Sequence, residues 1–235
     1  MLNPKLKKLA EKISDTELRE KVLEFLEKPS FMLNGKVYSG PSFDVSPGGL
    51  AYHHRYEGGY LEHVLGSAKL AFTLCDIVEQ IYQNKINRDY VTAGILLHDI
   101  FKPVTYMITE GGEFAMSQLA DYLDHISLAT AELVRRDFPK EVIHIVAAHY
   151  GAHGVVKPRT IEALICHLAD DVDSQLNGQV INAARSLTQR ATNEQITKIN
   201  SKEAFEIVHS KATEGWNGVK KTVEKIKQER AAHKT

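Results

Sequence analysis

Apolar side chains recur every three or four residues along much of this chain, and that spacing predicts amphipathic helices. Five such stretches follow one another through the middle of the sequence, and we expect them to form the core of a helical bundle. They span residues 61–83, 89–100, 124–138, 139–150 and 158–176. The second stretch is apolar on nearly every side, so we expect it at the centre of the bundle.

The segment before these helices has two parts. Residues 1–28 show a helical pattern, whereas the many Gly, Pro and Ser residues of 29–59 predict an ordered loop with a tight turn at Asn34-Gly35. A small β-hairpin is predicted between residues 104 and 116, around the turn sequence Glu110-Gly111-Gly112-Glu113.

From about residue 186 the chain becomes polar, and its apolar stripe is thin. We therefore expect an all-α fold with one main domain, including the N-terminal helix, at residues 1–185. Residues 186–235 are expected to form a helical C-terminal appendage with peripheral helices.

Composition and charge restrict the class of protein. The chain has 235 residues, of which 43% are hydrophobic and 25% charged, as in ordinary globular proteins. A net charge of −1 provides no general basic field for a long nucleic acid. No apolar run approaches the roughly 20 residues of a membrane span, and the N-terminus lacks a signal-peptide core. These features predict a cytoplasmic protein without membrane contact. Cys75 and Cys166 are expected to be buried free thiols.

The most informative local feature is His98-Asp99, at the end of the apolar run 93–97. A buried charge is costly unless it is paired or bound to a metal. Further His and Asp residues lie in the other predicted helices, namely His63, His125, His149 and Asp170. This distribution predicts a metal site assembled from several helices, and hence metal-assisted hydrolysis.

Four His and two Asp residues are enough ligands for two divalent ions that share a carboxylate. One ion would be held by His63, His98 and Asp170 together with Asp99, which would bridge to a second ion. The second ion would be held by His125 and His149. Imidazole and carboxylate ligands suit Mn, Fe, Co, Ni, Zn or Mg, and the identity of the metal stays open.

The order of these residues resembles the HD-domain superfamily of metal-dependent phosphohydrolases, with His125 and His149 similar to its two-metal branch. The flanking sequences are similar to the HD domain of bacterial 3′-to-5′ exoribonucleases, which carry this domain behind an OB fold. The resemblance covers about residues 15–180. It is carried by residues 58–63, 96–102, 148–151 and 167–173.

Two departures from that family bear on the substrate. The chain has no room for an OB fold ahead of the HD core, which weakens the expectation of an RNA substrate. Phe101 stands where the family often has Gly, and its ring is expected to reshape the mouth of the pocket.

The resemblance implies hydrolysis of a phosphoester, of a nucleotide or of a single-stranded RNA end. Metal-activated water would attack phosphorus in line with the leaving oxygen. Asp99 would bridge the ions and also accept a proton, and Lys102 would pair with a phosphate oxygen.

Further substrate contacts are expected from loop residues. The loop before His63 carries His53, His54 and Arg55. His54 is a candidate for protonating the leaving group or for binding phosphate. His153 follows His149 in another loop, and Arg159 offers a guanidinium for a phosphate.

Two other functions remain open from the residues alone. Mixed-valence di-iron oxygenases of the two-metal HD type use the same ligands, so the metal and its oxidation state would decide between the two reactions. A non-catalytic module that binds a nucleotide and regulates a partner is disfavoured by the complete ligand set. Whether the chain forms a homo-oligomer also stays open.

Overall fold

Helices dominate the fold, as the apolar periodicity predicts. A computed structural model describes residues 2–232, so Met1 and the end of the predicted appendage, residues 233–235, lie outside the described residues. Two small antiparallel hairpins accompany the helices. The all-α class is thereby confirmed.

The helices, in chain order, are α1 (Pro4–Ala10), α2 (Thr16–Glu27), α3 (Gly59–Gln80), α4 (Arg88–Leu97), α5 (Lys102–Thr105), α6 (His125–Arg135), α7 (Lys140–Ala148), α8 (Ile161–Thr192) and α9 (Ser201–Ala232). The strands are β1 (Ser30–Leu33), β2 (Lys36–Ser39), β3 (Tyr106–Ile108) and β4 (Phe114–Met116). Short 3₁₀ helices occupy Gln118–Asp121 and Gly151–His153.

The second hairpin, β3–β4, is the one that the sequence predicts, with Tyr106 opposite Met116. The first hairpin, β1–β2, lies inside the stretch that we expected to be loop only. Its turn is the predicted Asn34-Gly35, where both residues adopt positive φ angles of 51° and 76°. Strands of four residues are too short to show a clear alternation of apolar and polar positions.

Helix α8 runs beyond its predicted end at Leu176 to Thr192, so residue 185 lies within a helix. Its second half is polar on one side but buries Ile181, Ala184 and Thr188 on the other. Ile181 and Ala184 belong to an apolar cluster that also contains residues of α9, namely Ile207, Val219, Val223 and Ile226. A kink at Gly215, where φ is 67°, divides α9 into two helical stretches.

The centre of the bundle is α4, in which every residue from Val91 to Leu97 is buried. This confirms the central position that its apolar surface predicts. Gly94 lets α4 approach α7 closely, because a Cβ atom at this position would lie 2.3 Å from Cγ2 of Ile145. Cys75 and Cys166 are buried free thiols, as expected. Between residues 2 and 232, no helix combines the length and the apolar character needed to cross a bilayer.

Replacing Gly94 by Ala is expected to lower the free energy of unfolding by up to about 2 kcal/mol. Alanine favours a helix by about 1 kcal/mol over glycine, but overpacking a rigid contact costs about 1–3 kcal/mol. Urea denaturation followed by circular dichroism measures the change. In an Ile145→Ala background the same substitution should be tolerated, and equal losses in both backgrounds would refute the proposed contact.

Candidate metal centre

Five helices bring the six predicted ligands together at one place. His63 lies on α3 and Asp170 on α8, while His125 is the first residue of α6. His98 and His149 are the C-terminal caps of α4 and α7, and Asp99 follows directly after His98. The side chains form two clusters, in each of which the potential ligand atoms lie within 4.8 Å of one another. The first contains His63, His98 and Asp170, and the second contains Asp99, His125 and His149.

Local hydrogen bonds hold the imidazoles at the helix ends. Nδ1 of His98 donates to the carbonyl of Ile95 at 2.8 Å, and Nδ1 of His149 donates to the carbonyl of Val146 at 2.7 Å. A carbonyl oxygen only accepts, so Nδ1 carries the proton in both rings. Nε2 of each ring is therefore left with a lone pair, as metal ligation requires.

The third imidazole is oriented by a carboxylate. Nδ1 of His63 lies 2.8 Å from Oδ2 of Asp173, which makes Nδ1 the protonated nitrogen here too. Nε2 of His63 then faces Nε2 of His98 at 3.2 Å. Burial alone would lower the pKa of His63, but contacts with Asp170, Asp173 and Asp99 raise it well above its ordinary value. A metal cation bound by both Nε2 atoms would take the place of the proton that these carboxylates stabilise.

Asp99 lies between the two clusters and is fully buried. Its Oδ2 lies 3.2 Å from Nε2 of His63 and 3.3 Å from Nε2 of His98. Its Oδ1 lies 3.3 Å from Nε2 of His125 and 3.8 Å from Nε2 of His149. Each carboxylate oxygen thus faces a different cluster, which is the arrangement that a bridging ligand requires.

Several polar atoms here are buried without a well-oriented hydrogen bond. They are both carboxylate oxygens of Asp99 and Nε2 of His149. Leaving such atoms unsatisfied costs about 1–3 kcal/mol each, and more for charged groups. Nitrogen and oxygen atoms of this kind are good ligands for divalent transition metals. The residues therefore fit metal ions at this place.

Lys102 is buried beside Asp99. Its Nζ lies 2.5 Å from Oδ2 of Asp99 and donates to the carbonyl of Gly48 at 2.9 Å. Burial alone would raise the pKa of Asp99, but neighbouring positive charge, first that of Lys102, outweighs burial and holds this pKa well below its usual range. Burial alone would lower the pKa of Lys102, but Asp99 raises it above its ordinary value. Both groups are therefore charged.

His53 and His54 adjoin the centre. Their ring centroids lie 4.9 Å and 5.3 Å from that of His63, and their two Nδ1 atoms are 3.0 Å apart. Burial, followed by nearby positive charges, lowers the pKa of His53 to about 3 and that of His54 to about 2. Both rings are neutral near pH 7, so the structure favours a hydrogen-bonding role for His54 over that of a general acid.

The other two predicted substrate contacts lie apart from the cluster. His153 and Arg159 are both exposed, on the segment between α7 and α8. The backbone nitrogen of Arg159 donates to Nε2 of His144 at 2.9 Å. Among the residues that the structure describes, neither side chain has a hydrogen bond or ion pair with a candidate ligand.

Phe101 does not line the pocket mouth, and our expectation that it reshapes this mouth is wrong. Its ring is fully buried, with ring centroids 5.6 Å from Phe25 and 5.4 Å from Phe31. Phe25 and Phe31 come from α2 and β1, so Phe101 anchors the N-terminal segment to the bundle. Packing against Phe25 and Phe31, rather than contact with a substrate, therefore explains the phenylalanine at position 101.

Sequence reasoning underestimated one neighbour of the ligands and missed two. Asp173 lies one helical turn after Asp170, and the 2.8 Å between its Oδ2 and Nδ1 of His63 is the shortest histidine–carboxylate distance of the centre. Asn177, one turn further along α8, was missed. The helical spacing of 170, 173 and 177 is the signal that points to both. Tyr150 was also missed, although it directly follows His149; its hydroxyl lies 3.4 Å from Nε2 of His125.

Asn177 fixes the loop that carries His54. Its Oδ1 accepts from the backbone nitrogen of His54 at 2.7 Å, and its Nδ2 donates to Oγ of Ser201 at 2.7 Å and to the hydroxyl of Tyr56 at 3.2 Å. His54 has a φ of 47°, which non-glycine residues rarely adopt, so this backbone needs such support. The start of α9 is thereby tied to the loop beside the metal ligands.

Comparison with protein families identifies one match. The HD domain matches residues 60–175, a range that contains all six candidate metal ligands.

The chain is also similar to characterised proteins. It is 44% identical over 206 residues to a dihydroneopterin 2′,3′-cyclic phosphate phosphodiesterase of Methanocaldococcus jannaschii, covering 86% of this chain and 82% of that protein. It is 27% identical over 157 residues to the 3′-5′ exoribonuclease YhaM of Listeria monocytogenes, covering 60% of this chain. The match spans only 46% of that exoribonuclease. No solved structure matches significantly.

Proposed function

This chain belongs to the HD domain family and is a metal-dependent phosphodiester hydrolase, and we propose that its substrate is a small 2′,3′-cyclic phosphate. The first candidate is dihydroneopterin 2′,3′-cyclic phosphate, which appears in the name of the 44% identical relative. The 2′,3′-cyclic nucleotides carry the same reacting group. We further propose that two divalent ions, drawn from Mn, Fe, Co, Ni, Zn or Mg, occupy the centre.

The observation that carries this proposal is the position of Asp99. Its two buried oxygens face two different sets of imidazole nitrogens and have no well-oriented hydrogen bond. We assign His63, His98 and Asp170 to one ion and His125 and His149 to the other, with Asp99 shared between them. Bound divalent ions supply activation of water and neutralisation of charge at phosphorus.

The protein's own groups hold this arrangement and handle protons. Lys102 has three N–H donors: one donates to the carbonyl of Gly48, and Nζ also forms an ion pair with Oδ2 of Asp99 without good hydrogen-bond geometry. We propose that another of these donors contacts a phosphate oxygen and that Asp99 accepts the proton released by water. The oxygen of water then bonds to phosphorus, and one P–O bond of the ring breaks. The proton passes to the oxygen that leaves phosphorus, which becomes a hydroxyl group.

Burial of the centre supports a small substrate. His63, His98 and Asp99 are fully buried, and His149 is 1% exposed, so only a compact reacting group can reach these side chains. A cyclic phosphate on a vicinal diol presents a compact reacting group with one organic substituent. We propose that His53 and His54 contact this phosphate, while the exposed His153 and Arg159 stay as predicted contacts for the distal part of a substrate.

The end of a single-stranded RNA is a second candidate substrate. It is favoured by the similarity to 3′-5′ exoribonucleases, whose names state that activity. Those relatives are about twice as long as the matched region, so their activity does not transfer directly to this chain.

A panel of substrates distinguishes these two functions. We expect metal-loaded protein to open 2′,3′-cyclic AMP and dihydroneopterin 2′,3′-cyclic phosphate to monophosphates, and to leave 3′,5′-cyclic AMP intact. Liquid chromatography of the products measures this directly. Release of nucleoside monophosphates from an RNA oligomer, with both cyclic phosphates unchanged, would replace the first candidate by the second.

We also propose that residues 1–185 form the HD domain with its N-terminal helix and that the following residues form a helical appendage. The shared apolar cluster and the bonds of Ser201 to Tyr56 and Asn177 support an appendage that packs on the domain.

A further inference from the structure

A cavity lies between the loop before α3, the β3–β4 hairpin and the helices α8 and α9. Its volume is about 1070 Å³, which is ample for a ligand of nucleotide size. None of the six candidate metal ligands lines it. Tyr56 belongs to its wall, and the hydroxyl of this residue is bonded to Glu62 at 2.8 Å.

Some of the cationic side chains that line this cavity are paired with carboxylates, and others are not. Lys198 pairs with Glu113 at 3.1 Å, and Arg230 pairs with Glu203 at 2.6 Å. Arg55 and Arg185 also line the cavity, but within residues 2–232 neither has an ion pair or a side-chain hydrogen bond. The remaining acidic residue of the lining is Glu57, which is exposed and pairs with neither arginine.

The positive charges of the two unpaired guanidinium groups repel each other. Burial, followed by the charge of Arg55, lowers the pKa of Arg185. Two cations that repel each other, neither of which is paired with a carboxylate, are stabilised when an anion binds to both. A guanidinium is well suited to a phosphate, because it donates two parallel hydrogen bonds to two oxygens.

We propose that this cavity binds the phosphate monoester of a small organic molecule, with Arg55 and Arg185 as the two sides of a phosphate clamp. The uncharged polar side chains Gln189, Gln195 and Asn200 line the same cavity and are available to the organic part. None of the six candidate metal ligands lines this cavity, so the proposal does not depend on the substrate proposed above. Arg55, which we expected among the substrate contacts of the active site, is assigned here to this cavity.

Binding of adenosine 5′-monophosphate to the full-length, metal-loaded protein tests the proposal by isothermal titration calorimetry. Arg185→Gln is expected to weaken binding by about tenfold or more, because a charge-assisted hydrogen-bonded contact is lost. Arg190→Gln is the matched control, since Arg190 lies on the same helix but stacks on Trp216, 4.9 Å from its ring centroid. Adenosine, which lacks the phosphate, is expected not to bind.

Hydrolysis of 2′,3′-cyclic AMP by Arg185→Gln separates this proposal from the one on the active site. We expect kcat/KM to equal that of the wild type. The proposal is overturned if the nucleotide does not bind, if Arg185→Gln binds it like Arg190→Gln, or if adenosine binds equally well. A parallel loss of hydrolysis in Arg185→Gln would also overturn it, because the cavity would then be part of the active site.

Discussion

Replacing Asp99 by Asn is expected to lower kcat for cyclic phosphate hydrolysis by roughly three orders of magnitude. The amide removes the charge from the one residue whose two oxygens face both ligand clusters. It also removes the proton acceptor that we assign to Asp99. Steady-state kinetics on 2′,3′-cyclic AMP, together with metal analysis of the purified variant, measures both effects.

This variant needs a control for folding, because it leaves Lys102 buried without its partner. Breaking a buried ion pair costs about 3–5 kcal/mol, so the single variant alone would not separate loss of fold from loss of catalysis. Asp99→Asn combined with Lys102→Met removes both charges and is expected to fold while remaining inactive.

Asp171→Asn is the matched control on activity. Asp171 neighbours Asp170 but is exposed and bonds to Gln175, and its loss is expected to leave the rate unchanged. If folded Asp99→Asn kept a tenth or more of the wild-type rate with metal bound, Asp99 would not have the role assigned to it.

Replacing Gly66 by Ala is expected to lower metal affinity by about 10- to 100-fold. Gly66 lies on α3, where alanine would favour the helix by about 1 kcal/mol. A Cβ atom there would, however, lie 2.1 Å from Oδ1 of Asp173, so Asp173 must move. Its Oδ2 then loses the hydrogen bond that orients the imidazole of His63.

The mechanism of this effect is tested by combining two changes. Asp173→Ala should weaken metal binding to a similar degree, and adding Gly66→Ala to it should cause little further loss, because the displaced carboxylate is already gone. Metal-binding titrations of the three variants give this comparison. Wild-type metal affinity in Gly66→Ala would show that the position of Asp173 does not control the ligand.

Much of the arrangement of the centre is visible in the sequence. His98-Asp99 stands out because an ionisable pair follows the apolar run 93–97 of α4, and the other ligands lie one to a helix. The structure brings all six within two adjoining clusters. Apolar periodicity predicts these helices well because each of them buries one face against the bundle.

What the sequence does not reveal depends on contacts between distant segments. Asn177 reads as an ordinary polar helix residue, and only the fold places it against the backbone of His54, 123 residues away. From the sequence, Phe101 is expected to change the shape of the pocket, but in the structure its ring packs against residues of α2 and β1. The sequence does not reveal the end of α8, because the second half of this helix is buried in an apolar cluster with Tyr56 and α9 rather than in the main bundle.

The central claim is that hydrolysis depends on two metal ions sharing Asp99, and a stoichiometric titration tests it most directly. Protein stripped with a chelator is loaded with Mn²⁺ or Fe²⁺ in steps, and the initial rate of 2′,3′-cyclic AMP hydrolysis is measured against the equivalents bound. We predict negligible activity without metal and a rate that rises until two equivalents are bound per chain. Full activity in the stripped protein, or a plateau at one equivalent, would contradict the claim.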